Sequence, residues 1–227
     1  MILIPASNEG PRVGAVVRAA RRAMPGVDVM VVVNNCTDDT AAQAEAAGAT
    51  VLHSAPGYGP ALLAGYRHAL SRWAAGAVPA WLVQLDADGQ HPAAAIPQLV
   101  DKLATAHLVI GSRLVSGGSA QDWSVSRRLA VGALGWWTRR VSGAPVRDIS
   151  SGFQAMQPQV VRALVDDFPA DMVDANVLVR LWRHGFSITE HGVQMTARPG
   201  GESMHTGWQS AIYAGRLALQ TTIEAKR

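Results

Sequence analysis

The densest group of chemically competent residues is Leu85-Asp86-Ala87-Asp88-Gly89-Gln90-His91-Pro92. Two carboxylates two positions apart follow an apolar run, where a strand gives out and the backbone turns toward solvent. In an extended segment, positions i and i+2 point to one side, so both carboxylates can approach one hard cation. Mg2+ and Mn2+ favour oxygen ligands, and Mg2+ is commonly held by one or two carboxylates plus substrate phosphates. Gln90 offers a carbonyl oxygen to the same site. An ordinary Asp-Gly turn would use the same residues without a metal; the neighbouring motifs favour the metal reading.

Three other polar clusters each lie between an apolar run and a helical pattern. Pro5-Ala6-Ser7-Asn8-Glu9 opens a helix, whose N-terminus attracts anions. Glu9 also suits the first turn of a helix, so capping and ligand binding coexist in this reading. Asn34-Asn35-Cys36-Thr37-Asp38-Asp39-Thr40 suits contacts to a base or ribose, or helix capping. Gly57-Tyr58-Gly59 permits positive φ or a close backbone approach. It lacks a full Gly-x-Gly-x-x-Gly pattern, which rejects a dinucleotide fold. Arginine forks suit phosphate, although the Arg127-Arg128 and Arg139-Arg140 pairs also read as solvated helix faces.

Strands alternating with helices must position these clusters. Strands are expected at Ile2–Ile4, Val27–Val33, Thr50–His53, Trp81–Leu85 and Leu108–Ile110, with helices over Glu9–Met24, Thr37–Ala47, Ala61–Ala75 and Pro92–Ala104. Such alternation implies an α/β fold with a mainly parallel sheet flanked by helices, binding ligands beyond the carboxyl ends of its strands. After Gly111 the pattern changes. Residues 112–123 read as a Ser/Gly loop, Ser126–Val141 as a helix, Gly152–Met156 as a strand, Asp174–His184 as a helix, Phe186–Met195 as a strand and Thr206–Glu224 as a terminal helix. The expected organisation is one Rossmann-like domain over 1–227, with a regular strand–helix half at 1–111 and a second half at 112–227 that completes the same domain and ends in the terminal helix.

Composition narrows the classes. A chain of 227 residues with 48% hydrophobic content can bury a large core. One cysteine, Cys36, rules out an intrachain disulfide. The net charge of +3 is too small to argue for nucleic acid but suits phosphorylated ligands or an anionic membrane surface. No apolar run reaches the roughly 18 residues of a membrane span, and the first residues do not read as a signal peptide. A cytoplasmic protein, soluble or peripheral on the membrane face, is expected.

The order of motifs is distinctive. Pro5–Glu9, Asn34–Thr40, Gly57-Tyr58-Gly59, Asp86–Pro92, Gly111-Ser112-Arg113 and Arg147-Asp148-Ile149-Ser150-Ser151-Gly152-Phe153 together resemble family-2 glycosyltransferases, in particular the dolichyl- or polyprenyl-phosphate sugar synthases. The resemblance runs from residue 2 to about residue 206. It implies a GT-A fold and an inverting transfer from a GDP- or UDP-sugar with Mg2+ or Mn2+. It assigns Pro5, Ala6, Ser7, Glu9, Asn34, Asp86, Ala87 and Asp88 to the nucleotide, and Asp86, Asp88 and Gln90 to the metal. Arg113, Arg127 or Arg128, Arg198 and Ser203 fall to the phosphates and acceptor. Two departures stand out. Val33 and Asn34 occupy the place of a common Asp-Asp pair, and Met204 stands where a lysine is usual, with His205 beside it.

The acceptor decides the remaining chemistry. A lipid phosphate is already an anionic nucleophile and needs no base, whereas a hydroxyl acceptor needs a carboxylate to take its proton. Asp148 and Asp174 are the candidates, and spacing does not choose between them; with Asp88 and Arg113 they complete the catalytic set. A soluble enzyme acting on a small hydroxyl acceptor is therefore the alternative. A nucleotidyltransferase would want a Gly-rich, Lys/Arg-bearing loop after the first strand, which Pro5–Gly10 is not. Trp136 and Trp137 cannot both face the core of one helix, so one should be partly exposed. With the flanking arginines and the apolar residues Trp208, Ile212, Leu217 and Leu219, that face could meet a bilayer, pack internally or form a homodimer contact.

Overall fold

Ile2–Ala6 (β1) and Val29–Asn34 (β2) are buried at every position, as apolar strands with both faces covered must be. The computed structural model describes residues 1–77, 80–120, 123–168, 175–196, 218–219 and 221–225. Alternate residues of β1 enter opposite cores. Ile2, Ile4 and Ala6 pack with Val13, Val16 and Val17 of α1 (Gly10–Ala23) and with Ile96 and Leu99 of α4 (Ile96–Lys102). Leu3 packs with Leu62 and Tyr66 of α3 (Tyr58–Ala74), Val160 and Leu164 of α6 (Pro158–Asp166), and Leu178 and Leu181 of α7 (Ala175–Arg183).

The sheet adds β3 (Thr50–Ser54), β4 (Leu82–Gln84), β5 (Leu108–Ser112), β7 (Gln154–Met156) and β8 (Ile188–Gly192), in the order β3-β2-β1-β4-β7-β5-β8. Only β7 is antiparallel, pairing with β4 and β5; the remaining pairs are parallel. The α/β architecture is thus a mainly parallel sheet between two helical layers. Strand order reverses at β1 and β4, the kind of switch point where open α/β sheets bind ligands.

Several elements differ from the expected pattern. Helix α3 starts at Tyr58 rather than Ala61, because Gly57 takes a φ of 118° and lets the chain turn in early. The helix expected from Pro92 is a 3-10 turn at Ala93–Ala95 followed by α4; Pro97, without an N–H, falls in its first turn. Helix α6 was not anticipated. The strand expected over Phe186–Met195 is two, β8 and β9 (Gln194–Met195), and β9 pairs with β6 (Ser119–Ala120) inside the Ser/Gly loop. Helices α2 (Thr40–Ala46) and α5 (Val125–Ser142) lie between these strands in the chain, and residues 218–219 and 221–225, the described part of the expected terminal helix, are helical. Among the described residues, no helix is long and apolar enough to cross a membrane.

Candidate active site

The carboxyl ends of β1, β2, β4 and β5 lie along one edge of the sheet. Because β7 runs backward between β4 and β5, its entry, Gly152-Phe153, reaches that edge too. The Gly111 N–H donates to the Phe153 carbonyl at 2.8 Å, and Ser151 Oγ donates to the Gly111 carbonyl at 2.6 Å.

β4 ends at Gln84, and Ala87 and Asp88 form a turn after Asp86, with Gly89 at a φ of 81°. Asp88 Oδ1 accepts the Gln90 N–H at 3.0 Å. Asp86 is held from three sides. Its N–H donates to His91 Nδ1 at 3.0 Å, Tyr58 Oη donates to its Oδ1 at 3.4 Å, and Gly152 backs it so closely that a Cβ there would sit 3.2 Å from Oδ1. Tyr58 is steadied in turn by Gln84 Nε2 at 3.1 Å, and Gln84 Oε1 accepts from the buried Tyr66 hydroxyl at 2.6 Å. Accepting a backbone N–H at Nδ1 fixes His91 as the neutral Nε2–H tautomer. Burial, foremost, lowers its pKa, against the pull of Asp86 and Asp88. The ring stacks on Phe153 with centroids 5.3 Å apart, joining the Asp-x-Asp and Ser-Gly-Phe motifs.

This donor set fits a hard divalent cation that shares its coordination with a substrate. Gln90 Nε2 donates to the Thr196 carbonyl at 3.1 Å, which leaves the amide oxygen as the end available to a cation. Among the described residues, no three His, Cys, Asp or Glu side chains gather into a self-sufficient metal cage. Two carboxylates and an amide oxygen match the sparse protein share that Mg2+ usually receives beside phosphates.

The loops after β1 and β2 are stitched together. Asn8 and Asn35 adopt left-handed backbone, φ 53° and 50°, a region that asparagine tolerates better than most residues. Asn8 Oδ1 accepts the Thr37 N–H at 2.8 Å instead of capping α1. The Glu9 N–H donates to Thr40 Oγ1 at 2.8 Å and the Gly10 N–H to Asp38 at 3.0 Å. Glu9 is the N-cap residue of α1 but makes no side-chain cap bond; its buried carboxylate meets Arg12 at 2.6 Å. Asn34 is buried, donating to the Ala6 carbonyl at 3.2 Å and accepting the Gly57 N–H at 3.3 Å. It thereby joins three of the loops singled out from the sequence. Pro5 and Ala6 are buried at the end of β1, whereas Ser7 is exposed.

Across the edge, Arg113 and Asp148 form a two-pronged pair, Nε to Oδ2 and Nη2 to Oδ1, each at 2.7 Å. The Arg113 N–H donates to the same carboxylate at 3.0 Å. Asp148 is completely buried. Glu190, on β8, locks the segment by accepting the N–H groups of Arg147 and Asp148, both at 2.9 Å. Arg113 also lies over the Trp123 ring, 4.2 Å from its centre, and Arg127 approaches the same ring at 4.8 Å. Arg128 shares the first turn of α5. Asp174, Arg198 and Ser203, with Met204, His205, Trp208, Ile212 and Leu217, lie outside the described residues.

Trp123, Glu190 and the Tyr58 hydroxyl were not singled out by sequence reasoning. A tryptophan closing a Ser/Gly loop just before paired arginines was the available signal for the first. Glu190 gave none.

Comparison with known proteins matches this arrangement to one family. The sequence model of Glycosyl transferase family 2 matches residues 1–181. The chain is 32% identical over 222 residues to the undecaprenyl-phosphate mannosyltransferase of Micrococcus luteus, covering 91% of this chain and 87% of that protein. It is 29% identical over 219 residues to the polyprenol monophosphomannose synthase of Mycolicibacterium smegmatis, covering 91% and 81%. Among solved structures, glucosyl-3-phosphoglycerate synthase from Mycobacterium tuberculosis, in complex with Mn2+, uridine diphosphate and glucosyl-3-phosphoglycerate, superposes with a TM-score of 0.67. That match is 20% identical and covers 99% of this chain and 78% of the other. With its motifs, its sheet and these relatives in agreement, the chain belongs to glycosyltransferase family 2 and is a glycosyltransferase of the GT-A fold.

Proposed function

We propose that the enzyme moves a sugar, with inversion, from a nucleotide-sugar donor to a polyprenyl phosphate. The observation that carries this reading is the Arg113–Asp148 pair. Asp148 is fully buried and taken up by Arg113, so it does not serve as a base for a hydroxyl acceptor. The Arg113–Arg127 cluster instead suits an acceptor that arrives as an anion. The names of the Micrococcus and Mycolicibacterium relatives support the lipid phosphate and make mannose the first sugar to try.

In this reading the half at 1–111 receives the donor and the half at 112–227 the acceptor. The stitched loops, with Pro5, Ala6, Ser7, Glu9 and Asn34, hold the nucleotide, and Ala87 lines the turn between the two carboxylates. Asp86, Asp88 and Gln90 hold Mg2+ or Mn2+, a role supported by the Mn2+ and uridine diphosphate of the solved neighbour. A divalent cation held by these residues would supply charge neutralisation for the departing nucleotide diphosphate. Tyr58, His91 and Gly152 keep Asp86 in place for it. Arg113 and Arg127 orient the acceptor phosphate for attack from the opposite side of the sugar. On α5, Val125, Leu129 and Trp136 are 75%, 68% and 58% exposed. Their spacing of four and seven places them on one stripe, beside Arg128 and Arg140. We assign this stripe to an anionic bilayer surface, where the acceptor resides.

The test is transfer by the purified protein from a panel of GDP- and UDP-sugars to undecaprenyl phosphate and to soluble hydroxyl acceptors, with and without chelator. Metal-dependent formation of a lipid-phosphate sugar with inverted anomeric configuration is expected. Transfer to the hydroxyl acceptors alone, or retention of configuration, would overturn the reading.

A further inference from the structure

The two arginines at the acceptor edge are secured in different ways. Arg113 is over-determined, because Asp148 grips its side chain and its own N–H, and Glu190 fixes the backbone that carries Asp148. Ser150 Oγ takes a further bond from Nη2 at 3.0 Å. Among the described residues, no such clamp holds Arg127. Its backbone is placed by the α5 cap, where Ser124 Oγ accepts the Arg127 N–H at 3.2 Å. Its guanidinium is placed against the Trp123 ring. Partial desolvation, then the neighbouring Arg113 charge, lower the pKa of Arg127 from the usual arginine value, and Asp148 opposes them. Two like charges thus sit close enough to feel one another, with one indole common to both.

From this geometry we infer that Trp123 is a positioning residue for the acceptor phosphate, holding Arg127 at a set spacing from the immobile Arg113. The inference rests on the acceptor reading given above. An aromatic face attracts a cation through its quadrupole and suits the planar guanidinium. The ring therefore offsets part of the repulsion between the two arginines while leaving the N–H edge of Arg127 for a ligand. A phosphate bridging them relieves the rest of that repulsion. Since Asp148 and Ser150 hold the Arg113 guanidinium independently of the ring, removal of the ring falls mainly on Arg127, and so on the acceptor rather than the donor.

The experiment compares Trp123→Leu and Trp123→Phe with the wild type, using a short-chain polyprenyl phosphate in detergent. Trp123→Leu should raise the acceptor KM roughly five- to tenfold, leaving the donor KM within about twofold, while Trp123→Phe, which keeps an aromatic face, stays near wild type. Equal shifts in both KM values, or none in either, would overturn the inference. A binding measurement covers the case in which the leucine variant does not fold. Inorganic phosphate should change the tryptophan emission of the wild type, and that change should be lost in Trp123→Phe. An identical response in the two proteins would overturn it. A wild type that ignores polyprenyl phosphate yet shows the Trp123-dependent response would remove the lipid acceptor and retain the anion site described here.

Discussion

Asp86 keeps 37% of its side-chain surface exposed and Asp148 keeps none, although both lie at the same edge of one sheet. On the donor side, Asp86 sits just past a strand end beside a histidine ring and a phenol, and part of its carboxylate surface faces outward for a ligand. On the acceptor side, the protein satisfies its own carboxylate. An unpaired buried carboxylate is costly, so Arg113 is needed for folding as well as for orientation. One region is therefore preorganised to receive a cation, and the other is built around cations to receive an anion. Residue type alone does not separate the two uses of aspartate; burial does.

The largest expected effect tests the donor half of this contrast. Asp88→Asn should cut turnover about 10³-fold, the scale seen when a transition-state charge loses its stabiliser. Its thermal midpoint should stay near wild type, since Asp88 sits in a surface turn. Undiminished activity in the variant, or in chelator, would remove the metal from Asp86, Asp88 and Gln90.

The second test reverses the pattern. Asp148→Asn strips the partner from a nearly buried Arg113 and should cost about 3 kcal/mol of stability. For a chain of this size that corresponds to a fall of roughly 6–12 °C in Tm. A melt within about 2 °C of wild type would mean that the pair is not structural and would reopen a base role for Asp148.

Gly152→Ala probes the wall behind Asp86. The added methyl would stand 3.1 Å from Tyr58 Oη and 3.2–3.3 Å from the Asp86 carboxylate oxygens. The carboxylate must then give by a few tenths of an ångström. A drop of about tenfold in kcat/KM is expected from misplacement alone, with little change in melting. Full activity would show that Asp86 has latitude and that its precision comes from elsewhere.

The smallest effect concerns α5. Trp136→Ser should change stability by less than about 0.5 kcal/mol, as for an exposed site, while weakening binding to anionic vesicles roughly threefold to tenfold. Co-sedimentation at low salt reads this directly. A clear stability loss with unchanged vesicle binding would place the tryptophan in an internal contact instead.

Much of the donor side was legible in the sequence because its signals are local. The β-branched run at Val29–Val33 announces a doubly buried strand within five residues. Asp86–Gln90 marks a strand end and its turn, and Gly57 supplies the positive φ that starts α3. Helix α6 went unanticipated, although Pro158 in its first turn and the Val160, Val161 and Leu164 spacing carried a signal for it. Trp136 and Trp137 do not both face the core, as expected: Trp136 is 58% and Trp137 38% exposed, and the Trp137 indole N–H donates to Thr222 Oγ1 at 3.2 Å. Gly135 and Thr138 make the buried contact of α5, and Gly135 lies so close to the Arg147 backbone that no side chain fits there. Helical geometry tells how two residues are oriented to each other, not which of them meets the neighbour.

By itself, then, the sequence determined the alternation of strands and helices, the placement of polar clusters at strand ends and the family those clusters resemble. Each rests on residues a few positions apart, where backbone sterics and side-chain period act. Only the tertiary structure decided that β7 runs antiparallel and brings Gly152 against Asp86. Only it decided that Asp148 pairs with an arginine 35 residues away beneath a glutamate 42 residues further on, and that two arginines share one indole. Burial and pairing depend on which distant segment comes alongside, and no local pattern carries that information.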